Sequence, residues 1–111
     1  MGEHLRILLF EDGRPGEIMA INGENVQAEL EELLGGEIEM KRLNNRLQLV
    51  VHKDGEKLDL PMRYTRHKPG HVPELIYGNA AVVRVGQDGQ AHGITKKDAE
   101  EVNLYLHVAE V

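Results

Sequence analysis

The sequence contains no cysteine, no serine and no tryptophan, and its 111 residues include one phenylalanine and three tyrosines. Without thiols there are no disulfides, no thiolate zinc or iron–sulfur sites and no cysteine nucleophile. Without serine, the hydroxyl nucleophiles other than tyrosine reduce to Thr65 and Thr95. The core has to be built from Leu, Val, Ile and Met. No apolar run approaches the roughly 18 residues of a membrane span. Positive charge is not in excess either: nineteen acids against thirteen bases leave a net charge of −6. Such a surface is not drawn to bulk nucleic acid or to an anionic membrane. The acids are interleaved with bases, unlike the dense, continuous acid of a DNA mimic. The opening Met1-Gly2-Glu3-His4 lacks a basic n-region, and the apolar run Ile7–Phe10 is too short for a signal h-region. The expectation is a cytoplasmic protein.

Apolar residues make up 41% and charged residues 29% of the chain, as in folded globular domains. The length predicts one domain over residues 1–111. A core of this size leaves little room for a deep cleft, and a shared interface with a second copy would add stability. A homodimer or higher homo-oligomer is therefore the default expectation.

Periodicity supplies the elements. Leu5–Phe10 is nearly apolar throughout and predicts a central strand. The turn chemistry of Glu11-Asp12-Gly13-Arg14-Pro15-Gly16 leads to a second strand over Glu17–Ile21, in a hairpin with the first. Val26, Leu30, Leu33 and Leu34 share one helical face, with Glu29, Glu31 and Glu32 opposite. Asn22 or Asn25 suits the helix start, and Gly35-Gly36 its end. Ile38–Leu43 and Leu47–Val51 flank Asn44-Asn45, a pair that tolerates positive φ and suits a two-residue hairpin turn. A turn at Lys53-Asp54-Gly55-Glu56 and alternation at Leu58 and Leu60 extend this to a three-strand meander. Met62–Pro73, holding Pro69, Gly70 and Pro73, predicts an irregular segment that is neither helix nor central strand. A short extended piece at Glu74–Gly78, a buried strand over Ala80–Val85 and a final helix capped by Thr95 with Asp98 complete the chain. Ala99, Val102, Leu106, Tyr105 and Ala109 form that helix's expected buried stripe. The fold class is α+β: a mostly antiparallel sheet in the order β-β-α-β-β-β-loop-β-α, with two helices packed on it.

Three stretches carry a resemblance. They are Leu30-Glu31-Glu32-Leu33-Leu34-Gly35-Gly36-Glu37-Ile38-Glu39, Asp54-Gly55-Glu56-Lys57-Leu58-Asp59-Leu60-Pro61, and Ile76-Tyr77-Gly78-Asn79-Ala80-Ala81-Val82-Val83 ahead of a Thr-led helix. Over roughly Ile18 to Leu106 the chain resembles the small proteins grouped as domain of unknown function 3846. That resemblance implies a setting in phages, prophages or conjugative elements, hence the cytoplasm of the host cell, and brings no established activity. Where the family often has Asn two residues after the Leu-Pro, this chain has Arg63.

The candidate binding segment runs from Arg63 to His71. It holds Arg63, Arg66 and Lys68, two histidines, Tyr64 and no acid, while the remaining ten bases face nineteen acids, a net −9. A local +3 on that background is a focused site for an anion. Arg63, Arg66 and Lys68 suit phosphates. Tyr64, His67 or His71 suits stacking on a base or donation to an oxygen. The plainer reading is a solvated loop with Tyr64 tucked against the sheet. His67 and His71 are four apart, but Pro69 and Gly70 between them oppose a helical metal pair, and a third ligand would have to come from His52 or His92; no metal and no cofactor are expected. No phosphate-cradling glycine loop is present, since Gly86-Gln87-Asp88-Gly89 reads as a turn.

Two classes of function follow. One is a non-enzymatic accessory protein of a phage or mobile element that binds a host defence protein or sequesters a cyclic or linear nucleotide messenger of host antiviral defence. The other is a small phosphodiesterase-like enzyme using Tyr64, His67 and His71 on such a nucleotide. An interaction module without a small ligand is the third alternative.

Overall fold

The structure is a computed structural model and describes residues 4–109. Met1–Glu3, part of the basis for expecting no leader, lie outside the described residues. Among the described residues nine strands and two helices follow one another: β1 (His4–Phe10), β2 (Glu17–Asn22), α1 (Val26–Leu34), β3 (Ile38–Arg42), β4 (Leu47–His52), β5 (Met62–Arg66), β6 (Glu74–Tyr77), β7 (Ala80–Val85), β8 (Ala91–His92), α2 (Lys96–Val102) and β9 (Leu106–Val108). The class is α+β, as the sequence predicts.

The strands form two sheets. The larger runs β2-β1-β7-β4-β3, with β8 beside β7, and the smaller runs β6-β5-β9. Every pairing is antiparallel. The larger sheet is buried on both faces. On one face Leu5, Ile7, Leu9, Val50, Ala81 and Val83 meet Leu30 and Leu34 of α1. On the other, Leu8, Phe10, Leu49 and Val82 meet Tyr64 and Ile76 of the smaller sheet and Val102 of α2. The expected centrality of the first strand holds, because β1 lies between β2 and β7.

Both helix ends follow local chemistry. Gly35 takes φ 84°, the left-handed region open to glycine, and its N–H donates to the Glu31 carbonyl. Asn25 makes no side-chain cap; the Asn22 side chain instead accepts from the Glu24 N–H at 3.0 Å. The Thr95 hydroxyl accepts from the Asp98 N–H at 3.1 Å, and Asp98 Oδ2 accepts from the Thr95 N–H at 3.0 Å, a complete capping box.

Four expectations are corrected. Asn44-Asn45 does not form a two-residue turn: the connection is Leu43–Arg46, and Asn44 Oδ1 accepts from the N–H groups of Arg46 and Leu47 at 2.8 and 2.9 Å. Its side chain, not a positive φ, closes the loop. Leu58 and Leu60 do not continue a meander, because local bonds from Leu58 N–H to Asp54 O and from Leu60 N–H to Gly55 O wind the segment into turns. Met62–Arg66 is the central strand of the smaller sheet, since both prolines lie beyond it. The last helix stops at Val102; tight turns follow, and Leu106 reaches the core from β9.

Candidate functional site

Strand geometry decides where the residues of the 63–71 segment point, because neighbouring side chains on a strand face opposite ways. β5 carries four of them, Arg63 to Arg66, against β6 and β9. Arg63 is the extra residue of a bulge, since Met62 pairs with Tyr77 while Tyr64 pairs with the adjacent Ile76. Its exposed side chain lies over Gly13 in the β1–β2 turn.

Tyr64 turns inward and is wholly buried. Its ring meets Phe10 edge-on, with centroids 5.4 Å apart at 75°, and its hydroxyl donates to the Arg14 carbonyl at 2.8 Å. Burial pushes its hydroxyl above the ordinary tyrosine range. The ring is therefore closed to a ligand, and the sequence-based role of Tyr64 in stacking or catalysis is withdrawn. Arg66 also turns toward the larger sheet, where its guanidinium donates to the Arg42 carbonyl on β3.

The opposite face of β5 brings other groups together. Thr65 lies in register with Leu75 on one side and His107 on the other. Thr65 Oγ1 and His67 Nε2 are 2.9 Å apart. The His67 ring stacks on His107, centroids 4.3 Å apart and planes tilted by 32°. His107 Nε2 lies 3.0 Å from the Asn103 carbonyl, which can only accept, so that nitrogen carries the proton and Nδ1 is left for another partner.

The chain then turns. The His71 N–H donates to the Lys68 carbonyl at 3.0 Å, with Pro69 and Gly70 between and Gly70 at φ 78°. Pro followed by a positive-φ Gly is the chemistry of a type II turn, which sets Lys68 and His71 side by side beyond His67. Both are exposed. Among the described residues, none of Arg63, Arg66 and Lys68 forms an ion pair with a carboxylate.

The segment thus divides. Thr65, His67 and His107 come together at one end of the smaller sheet, and the chain leaves that end through the exposed Lys68–His71 turn. Arg63 sits about 13 Å of strand away, at roughly 3.3 Å per residue. Sequence reasoning left His107 out of the site, because an isolated histidine is more often a plain surface or strand-end residue. Leu104, Leu106 and Val108 alternate with period two, but Leu104 is exposed in the turn before β9, so the pattern by itself does not mark the strand that carries His107. Among the described residues no three metal-binding side chains come close enough to hold an ion. No helix is long and apolar enough to cross a membrane, again among the described residues.

A cleft of about 170 Å³ lies between the edges of β3 and β6, lined by Glu39, Lys41, His52, Glu56 and Glu74 among others. Lys41 Nζ is already 3.2 Å from Glu74 Oε2, and the carboxylates around it oppose an anion.

Residues 5–107 match the sequence profile of the domain of unknown function DUF3846. The chain belongs to that family. Neither the curated proteins nor the solved structures contain a match.

Proposed function

We propose that this DUF3846 protein is a non-catalytic binder of a small phosphate-bearing ligand, with a cyclic or linear nucleotide messenger of host antiviral defence as its target. In this reading it is an accessory protein of a phage or mobile element that works in the host cytoplasm by sequestering the messenger. One observation carries the proposal: the His67–His107 stack with Thr65, continued by exposed Lys68 and His71, on a net-acidic protein. Lys68 and the imidazoles of His67 and His71 supply donors to phosphate oxygens, the His107 N–H being held by Asn103, and the outer imidazole face offers a surface for a base. Arg63 and Arg66, named with this site on sequence grounds, take no part in it.

A second reading rests on the 2.9 Å contact between the Thr65 hydroxyl and His67 Nε2, the geometry of a nucleophile beside a base. It would make the protein a small phosphodiesterase-like enzyme. The pair lies on an open sheet face, where water weakens the electrostatic help that a reacting phosphate needs, so binding is the better supported role.

The test is isothermal titration calorimetry with a panel of cyclic dinucleotides, cyclic trinucleotides and linear nucleoside polyphosphates. His67→Ala combined with Lys68→Ala removes two donors to the anion, each worth about 1.5–3 kcal/mol, and is expected to weaken binding a hundredfold or more. Arg63→Ala should leave affinity within about twofold, as for a surface charge outside the contact. Equal affinity for wild type and the double variant would sink the proposal. Heating the complex separates the two readings, because a binder releases intact nucleotide and an enzyme releases products.

A further inference from the structure

β3 is an edge strand of the larger sheet, at the end opposite β2, and its free edge has a definite chemistry. Glu37 O accepts from Lys53 N–H, and Leu43 N–H donates to Leu47 O, so the odd-numbered residues of this stretch direct their backbone groups toward β4. The N–H and C=O groups of Ile38, Met40 and Arg42 therefore point outward, away from the sheet. The side chains alternate as well. Ile38 and Met40 line an apolar groove against Val26 and Leu30 of α1, whereas Glu39 and Lys41 line the cleft on the other face. Met40 is 49% exposed.

We propose that this edge pairs with the same edge of a second copy, making one continuous sheet through a two-fold axis at Met40. Charge selects both the occupant and the register. Antiparallel self-pairing through the outward groups allows a few alignments. Centring on Glu39 sets two glutamates face to face, and centring on Lys41 sets two lysines face to face, each repulsive across a ladder. Centring on Met40 places Glu39 opposite the partner's Lys41 and Lys41 opposite the partner's Glu39, in the pairs whose side chains approach most closely. The same register puts Met40 against the partner's Met40, where two flexible thioethers extend the apolar groove, and Ile38 against the partner's Arg42. The result is an isologous interface, as a two-fold dimer requires.

Two features fit this alignment. The Met40 backbone groups, which would form its central pair of hydrogen bonds, are free of side-chain caps among the described residues. The Arg42 carbonyl, which accepts from Arg66, keeps a second lone pair for the partner's Ile38 N–H. Lys41, now 3.2 Å from Glu74, would lie between that carboxylate and the partner's Glu39.

Sedimentation equilibrium over a concentration series up to about 1 mM tests it, a range that captures even a −4 kcal/mol association. The wild type is expected to dimerise. Glu39→Lys and Lys41→Glu, each turning two attractive pairs into two repulsive ones, should each weaken the dimer about tenfold or more. Combining them restores opposite charges across the axis and should recover the dimer. Met40→Lys, at an exposed edge position that leaves the monomer ladder intact, should abolish it, and this variant decides the matter where the exchanged protein fails to fold. A monomer throughout the series would overturn the proposal. So would a dimer that survives the single reversals and Met40→Lys, or a single reversal that the exchange does not rescue.

Discussion

Tyr64→Ala is expected to remove about 3–5 kcal/mol of stability, the range for truncating a fully buried aromatic side chain. Domains of this size are held by only about 5–15 kcal/mol, so the variant should lie near its unfolding midpoint in ordinary buffer. The ring has no exposed surface, stands edge-on to Phe10 and sits where the smaller sheet closes over the larger one. Tyr64→Phe removes only the bond to the Arg14 carbonyl and should cost about 0.5–1.5 kcal/mol. The hydroxyl adds a pH dependence of known sign. Its native value is raised by burial, so the unfolded chain gives up this proton first, at about pH 10. The contribution is whole below that pH and is lost as the pH rises through the native value. Urea unfolding at neutral and alkaline pH should show a larger alkaline loss for the wild type than for Tyr64→Phe. Equal losses would mean that the burial of this hydroxyl has no linkage to folding.

Leu30→Ala is the second large effect, about 2–5 kcal/mol by cavity formation. Leu30 has no exposed surface and, with Leu34, fixes α1 to the larger sheet. The helix is nine residues long and has no side-chain bond at its N-cap, so packing rather than local structure holds it. Denaturant unfolding should register the loss. Hydrogen exchange should show faster opening of residues 26–34 than of β1, β4 and β7. A cost below about 1 kcal/mol would indicate that α1 can settle into the vacated space.

Residues under a single strong constraint were readable from the sequence. The period of Val26, Leu30, Leu33 and Leu34, the left-handed Gly35 and the Thr95–Asp98 box are local signals, and α1, its end and the start of α2 formed where expected. Elements defined by distant partners were not. β5 was hidden because its flank holds Pro69 and Pro73, although its own five residues contain no proline. β9 was hidden because Ala99, Val102 and Leu106 also fit a helical stripe, and only pairing with β5 makes Leu106–Val108 a strand. The site inherited both errors. Read as a loop, the 63–71 segment could gather all its charges around one ligand. Read as a strand and a turn, it sends Tyr64 and Arg66 inward, leaves Arg63 at the far end, and recruits His107 from β9. No local signal in the sequence announces that His67 and His107 touch, because forty residues separate them.

Native mass spectrometry of the protein, purified gently from cells that carry nucleotide-signalling defence, tests the central claim most directly. A bound nucleotide would add a few hundred daltons, roughly one ligand per site, and the same spectrum reports whether the carrier is a dimer. The account predicts that mass on the wild type and its loss from the His67→Ala, Lys68→Ala double variant. A protein that emerges bare, and stays bare when the nucleotide panel is added back, would contradict it.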